Sequence, residues 1–363
     1  MSAPDDDGYL EWPSPFGSAM VVVEDDQRVV YMYLRFGDPS EDKHEMKSCW
    51  VRNRVAAPAQ LDVEGLKRGE APLLPSAFCA HPKGAAALRG LSVVWFEEGD
   101  GAALFENDKL IAAIPRWSGT KGFYGYARDC TGESPFAWSL DDDNVIHDRV
   151  RKAKEYWDWW DCKEAWSSYS DVYVPAIEQG IGQQHDRYFA IDGGAWPPKA
   201  LLQVNTDRFT ALVTMGVGAL SLPGVEMAVD DPSPFRRIEL AAAIPRGASD
   251  EAVKAFGGYM SSLAGYPWRI YDWLGHGHTV NCGVAVNLID GEPPVAVLLR
   301  EGPPDMPAVV LPPFRGDPVR VLWLTPISDA EHLHAQQNGS AELFEKLGSD
   351  KVGALQLNRC AVV

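Results

Sequence analysis

The chain has no Cys-x-x-Cys pair: its six cysteines, Cys49, Cys79, Cys130, Cys162, Cys282 and Cys360, fall at long and irregular intervals. That spacing argues against a zinc ribbon or a thioredoxin-type redox centre and leaves reduced, mostly structural thiols. Positive charge is also in short supply, with 33 Lys+Arg against 51 Asp+Glu and a net charge of -18. Such a balance opposes the phosphate neutralisation on which DNA and RNA binding depend, so nucleic acid is a poor partner. The same surface repels anionic lipid but attracts basic proteins and speeds their encounter. Long apolar runs are missing too. The longest uncharged stretch, between Arg208 and Glu226, contains Gly216, Gly218, Pro223 and Gly224, whereas a membrane-spanning helix needs about 20 mainly apolar residues. It reads as a buried strand leading into a turn, and no membrane association is expected. Met1 to Asp7 carries neither the positive start nor the apolar core of a secretory signal, so a cytoplasmic location is the expectation.

What the chain does have is ordinary globular composition, with 46% hydrophobic and 23% charged residues over a length that suits two domains. Thirteen Trp without basic flanks are read as core anchors. Up to about residue 145, short β-type runs alternate with turn residues: Ala19 to Val23, Val29 to Phe36, Leu91 to Phe96 and Leu110 to Ile114. Asp25-Asp26-Gln27-Arg28 joins the first two as a hairpin, and Gly99-Asp100-Gly101 with Glu106-Asn107-Asp108 marks further antiparallel turns.

Asp141-Asp142-Asp143 suits a helix N-terminus, and Val145, Val150, Ala153, Trp157 and Trp160 follow at near-helical spacing. This predicts a Trp-rich connecting helix over 146–170 between a β-rich domain at 1–145 and a second domain at 171–363. In that second domain Leu201–Val204, Thr210–Met215, Arg237–Ile244, Val295–Leu299 and Val319–Leu324 read as strands. Ser249 caps a helix that carries Val253, Phe256, Met260 and Leu263 on one face and ends before Gly265 and Pro267. Ser328-Asp329-Ala330-Glu331 is a capping box, Asn338-Gly339 ends that helix, and a short final helix covers Ala341–Leu347. The fold class expected is α+β, with mixed and antiparallel sheets packed against helices.

Catalytic signatures are few. His276, His278 and Cys282 are spaced to share one face if they lie on a strand, and imidazole with thiolate is zinc-compatible, the basis of an alternative reading as a metal-assisted hydrolase. No fourth ligand is evident. His332 and His334 point to different sides of a helix. Gly216-Val217-Gly218 approaches a dinucleotide fingerprint, but Pro223 breaks the helix that would hold the pyrophosphate. Adjacent acids such as Glu97-Glu98 and Asp230-Asp231 are solvated or face opposite ways. No cofactor is expected.

Four ordered stretches resemble the Suppressor-of-fused domain family: Thr214 to Gly224; Arg237-Ile238-Glu239-Leu240; Leu263 to Pro267 with Gly275-His276-Gly277-His278-Thr279; and Leu324-Thr325-Pro326-Ile327 with Glu331, Asn338-Gly339-Ser340 and Leu343 to Leu347. The resemblance implies a mixed α+β fold, no cofactor, no catalysis, and a long bacterial-type member with an added first half. Animal members sequester a transcription factor by adding a peptide strand to their sheet, and bacterial-type relatives are proposed to be immunity proteins that neutralise a toxin. The animal site uses an acid after a Gly-Leu-Ser turn, where this chain reads Gly216-Val217-Gly218-Ala219. The expected role is therefore binding of a protein partner, a basic toxin or a regulatory protein. Trp157, Trp160, Asp230, Asp231, His276 and His278 are the candidate contact residues.

Overall fold

The computed structural model describes residues 9–37, 45–189, 191, 193–194, 198–269, 272–302, 306–348 and 359–363. By contact density the chain divides into two units, Met1–Trp159 with Glu226–Ala228, and Trp160–Val225 with Val229–Val363.

The first unit contains two sheets. In one, β1 (Tyr9–Pro13), β2 (Ala19–Asp25), β3 (Val29–Phe36) and β4 (Glu45–Asn53) follow each other as an antiparallel meander. The β2–β3 hairpin forms where Asp26 Oδ1 accepts from the Arg28 and Val29 amides, both at 2.7 Å, while Gln27 takes a left-handed φ of 67°. A carboxylate that mimics a backbone acceptor is what makes Asp a turn residue. In the other sheet β5 (Leu91–Trp95), β6 (Ala102–Glu106) and β7 (Lys109–Ile114) are antiparallel, and the short β8 (Tyr126–Ala127) and β9 (Trp138–Ser139) extend it, the last pair running parallel. Asn107 and Asp108 at φ 46° and 67° make the β6–β7 turn, as a two-residue hairpin of right-handed twist requires. Val21, Val30, Met32, Leu34, Trp50, Leu104, Ile111 and Ile114 interleave from the two sheets as one core.

After the five-residue α1 (Val63–Lys67) of the first unit, the expected connecting helix is two helices, α2 (Ile146–Trp160) and α3 (Ala165–Ile181). Asp161, Cys162, Lys163 and Glu164 between them are all exposed, so the apolar stripe that would carry one helix through has no residue there. The start differs as well: Asn144, not the aspartate run, receives the Ile146 amide on its Oδ1 at 3.0 Å, and Val145 is left exposed ahead of the helix.

The second unit is built on a seven-stranded sheet. Its strands are β10 (Gln184–Phe189), β11 (Ala200–Asn205), β12 (Phe209–Met215), β13 (Arg237–Pro245), β14 (Thr279–Asn281), β15 (Ala296–Glu301) and β16 (Val319–Ile327). Their order is β10-β11-β12-β13-β16-β15-β14, antiparallel except for the central β13–β16 pair. A parallel pair is covered on both faces, and β13 is accordingly buried from Arg237 through Ile244. Between β12 and β13 in sequence, α4 (Val225–Ala228) is a single turn whose last three residues count with the first unit. Helix α5 (Asp250–Leu263) is capped by Ser249 Oγ, which accepts from the Ala252 amide at 3.2 Å. Helix α6 (Asp329–Asn338) begins with the predicted capping box, and α7 (Ser340–Leu347) follows after Gly339. Ala335, Leu343 and Leu347 from these two helices cover Ala296, Leu298 and Ile327 of the sheet. The fold is thus α+β, with mixed and antiparallel sheets carrying helices. Among the described residues no helix is long and apolar enough to cross a membrane.

Candidate functional site

The stretch after β12, Gly216–Gly224, is buried throughout yet has no strand partner, so its amides need acceptors from elsewhere. Glu239 on β13 supplies them. Its Oε1 accepts from the Gly216 and Gly218 amides at 2.8 and 2.9 Å and from the Tyr169 hydroxyl of α3 at 3.1 Å. Its Oε2 accepts from Thr214 Oγ1 at 2.7 Å. Burial raises the Glu239 pKa, and the four donors only partly offset that. Arg237, two residues earlier on the same face, donates to the Gly218 and Ala219 carbonyls at 3.2 Å and lies over the Phe314 ring. The Trp268 indole closes the clamp by donating to the Ser221 carbonyl at 3.0 Å. Gly216, at φ +105°, has no room for a Cβ, which would stand 2.8 Å from the Pro198 carbonyl oxygen.

This rigid interior supports a surface at the far edge of the sheet, around β14 and β15. Arg300 and Glu301 are neighbours on β15 and so face opposite ways. On one side the Arg300 guanidinium lies 4.9 Å from the Phe344 ring of α7, and His276 stacks on that same ring at 4.8 Å and 18°. On the other side Glu301 binds Arg320 of β16 through two hydrogen bonds, one of them 2.8 Å, and Arg320 covers the Phe235 ring at 4.6 Å. Phe235 meets Trp273 edge-on at 6.3 Å, and Trp273 meets His278 in the same way at 4.6 Å. The Gly275–His278 turn joins the two sides at the edge, tied to α7 by the Ser340 hydroxyl, which donates to the Gly277 carbonyl.

These contacts also show what became of the expected histidine face. Gly277 adopts φ +85° and β14 begins only at Thr279, so His276 and His278 sit in a turn, not on a strand where side chains two apart align. His276 Nδ1 accepts from the Glu301 amide at 3.0 Å, and its ring belongs to Phe344, while the His278 ring belongs to Trp273. Burial lowers both imidazole pKa values; Glu301 opposes that at His276, and the Trp273 backbone opposes it at His278. Burial pushes the Cys282 thiol up to about 11, which keeps it protonated and a poor ligand. Among the described residues no three His, Cys, Asp or Glu side chains are grouped to hold a metal ion.

Asp230 and Asp231 are exposed, as expected, and Asp231 Oδ1 accepts from the Ser233 amide at 3.2 Å, opening the 3-10 turn Ser233–Phe235 that delivers Phe235 to Trp273. Four of the six candidate residues therefore lie on segments that ring contacts bring together. Trp157 does not join them: its indole donates to the Trp95 carbonyl at 2.7 Å and its ring packs on Tyr156 and the cores of the first unit. Trp160, the last residue of α2, is half-buried. Sequence reasoning missed Phe235, Trp273, Arg300, Arg320 and Phe344, which come from five separate segments. The one local hint was the aromatic at 273 beside Gly275-His276.

Set against known proteins, residues 196–359 match the family model described as Suppressor of fused protein (SUFU). Glu239, Trp273, His276, His278, Arg320, Glu331 and Phe344 all fall within that span. A chain from "the Sufu-Fu complex crystal structure" aligns with a TM-score of 0.36 at 12% identity, covering 52% of this chain and 90% of that one. No curated protein matches in sequence.

Proposed function

We propose, from the match of residues 196–359 to the Suppressor of fused family model, that the chain is a non-enzymatic protein of that family that binds another protein, in an immunity-type, toxin-neutralising role or as an adaptor, in the cytoplasm. The observation that carries this reading is the pair of ring–cation clusters joined across the sheet edge by the Gly275–His278 turn. Aromatic and Arg side chains concentrate at protein interfaces, the rings because they bury much area while losing few rotamers and Arg because its planar guanidinium both stacks and donates. Here Phe235, Trp273, His278 and Phe344 are half-buried, the first three held by one another and Phe344 by His276 and Arg300, but not covered.

Among the described residues β14 pairs only with β15, and β10 only with β11, so each end strand has one open edge, on β14 with the Asn281 carbonyl already taken by the Tyr259 hydroxyl at 3.1 Å. An unpaired edge accepts a partner's extended segment through main-chain hydrogen bonds. The charge of -18, with Asp230 and Asp231 exposed beside Phe235's turn, favours a basic partner. His276, His278, Asp230 and Asp231 with Phe235, Trp273 and Phe344 form the proposed contact set.

The test is affinity capture with the purified chain and with Trp273→Ala and Phe344→Ala variants shown to be folded by circular dichroism. One protein should be recovered by the unaltered chain and bind each variant at least about tenfold more weakly, the loss expected of a central aromatic contact. Equal recovery by all three would remove the surface from the reading. A turnover abolished by changing one side chain would remove the reading itself.

A further inference from the structure

In the first unit a cleft of about 310 Å3 opens between the start of β4 and the segment from Arg116 to Tyr124. Two cations form its floor. Lys47 is buried, and its ammonium donates to the Arg116 carbonyl. The Arg116 guanidinium is itself largely covered, its side chain 14% exposed, and both charges lie over the Phe36 ring, at 5.9 and 5.2 Å. Two cations this close repel each other in a low-dielectric setting unless an anion is shared between them. Burial, and after it the charge of Arg116, lower the Lys47 pKa, with Glu45 and Asp100 pulling the other way.

Glu45, the first residue of β4, supplies the shared anion: its carboxylate accepts from Arg116 at 2.9 Å and stands 3.5 Å from Lys47. It is nevertheless a rim residue, its side chain 51% exposed. A second observation points the same way. Ser118 lines the cleft, is only 3% exposed, and among the described residues its hydroxyl has no hydrogen-bond partner. A buried hydroxyl without a partner is a standing cost unless a ligand meets it. Around this polar floor Met46 and Tyr124 are 59% and 40% exposed.

We propose that this cleft is an oxyanion site for a phosphate-type group carried on an apolar body, and that the Glu45 carboxylate is a resident stand-in which the ligand displaces. One ligand oxygen takes the place of Glu45 between Lys47 and Arg116, and another accepts from Ser118 Oγ once that hydroxyl, covered in this structure, turns toward the cleft. The apolar body covers Tyr124 and Met46. Displacement is cheap because an exposed carboxylate regains its hydration when it swings out, and surface ion pairs contribute little. The overall negative charge does not forbid this, since screening confines distant carboxylates to about 8 Å at physiological salt.

The site is tested by titration calorimetry on the full chain with inorganic phosphate and with phenyl phosphate, at fixed ionic strength balanced by chloride. Both should bind saturably at one site, phenyl phosphate about tenfold more tightly for the ring it buries. Glu45→Gln should tighten both by about fivefold, since the competitor loses its charge. Ser118→Ala should weaken both by at least about tenfold, the worth of one hydrogen bond to a charged oxygen. Lys47→Met should abolish binding; because Lys47 is buried and that variant risks unfolding, the Glu45 and Ser118 variants decide the matter alone. Absence of saturable heat overturns the proposal, as do affinities that neither variant changes. Phenyl phosphate binding no more tightly than inorganic phosphate overturns the apolar half and leaves free phosphate as the ligand.

Discussion

Replacing Glu239 by Leu tests whether one carboxylate holds the buried Gly216–Gly224 segment. The side chain is fully buried, and Leu keeps most of its volume while removing every acceptor. Thr214 Oγ1 retains the Leu240 carbonyl as an alternative at 3.4 Å, but the Gly216 amide, the Gly218 amide and the Tyr169 hydroxyl lose their partner. At about 1 to 3 kcal/mol for each unmet buried donor, the substitution should cost about 3 to 9 kcal/mol, a large share of the roughly 5 to 15 kcal/mol that a domain has in all. Glu239→Gln should cost far less. Its carbonyl keeps the three donors at the Oε1 position, and its amino group donates to Thr214 Oγ1, whose hydroxyl turns to Leu240.

The two variants also differ in pH dependence. Burial raises the folded-state pKa of Glu239 above the unfolded value, so the folded form holds that proton more tightly than the unfolded chain does. The unaltered protein is therefore penalised as pH rises from the unfolded value, about 4.3, through the folded one, and the Gln variant is not. Urea titrations followed by Trp fluorescence between pH 4 and about pH 8 should show the gap between Glu and Gln narrowing as pH rises. A Leu variant within about 1 kcal/mol of the parent would refute the idea that this carboxylate holds the loop.

A second buried carboxylate, Glu331, receives Arg359 Nη1 and Nη2 at 2.7 Å, the Ser328 amide at 2.9 Å and the Val362 amide at 3.0 Å; Arg359→Met, which strands it, should cost about 3 to 5 kcal/mol in urea unfolding. Burial works to raise its pKa, but Arg359 and the backbone donors outweigh it and leave the value lowered, so this stabilisation is full above the unfolded pKa and fades as pH falls through the folded one, a slope the Met variant should lose. Under a thiol reagent Cys162 and Cys360, both exposed, should react at once, whereas Cys49, Cys79 and Cys130, buried and with raised pKa values, should wait for denaturant; equally fast labelling of all six would contradict the core described for the first unit.

What the sequence made legible was local. The Asp26 turn, the Ser249 cap and the Ser328–Glu331 capping box each place donor and acceptor within three residues, so spacing alone identifies them. The Glu-Leu of β13 was visible as a motif, but its function was not, because Glu239 answers to Tyr169 and Gly216, seventy and twenty-three positions away. The histidines misled for a physical reason: even spacing aligns side chains only while the backbone stays extended, and Gly277 ends that condition with a positive φ. Trp157 and Trp160 were candidate contacts although a packed helix explains that run more cheaply than an exposed patch, and Trp157 spends its one donor on the Trp95 carbonyl.

Perturbed buried carboxylates are the usual first suspects for acid–base chemistry, and Glu239 and Glu331 fit that description by burial. Their hydrogen bonds argue otherwise. A carboxylate has about four lone-pair sites. Glu239 takes donors from Tyr169, Thr214, Gly216 and Gly218, and Glu331 takes two from Arg359 and one each from Ser328 and Val362. Glu331 carries two donors on each oxygen, and Glu239, although its Oε2 takes only Thr214, is wholly buried, so neither presents a position from which to accept a substrate proton. Their work is to fix a loop beside β13 and a chain segment beside α6, and what that rigidity presents outward is rings, a sheet edge and exposed acids. Rigid presentation of such groups lowers the ordering cost of binding a partner. A turnover lost on Glu239→Gln, with the fold intact, would show that a site still open to substrate had been mistaken for a closed one.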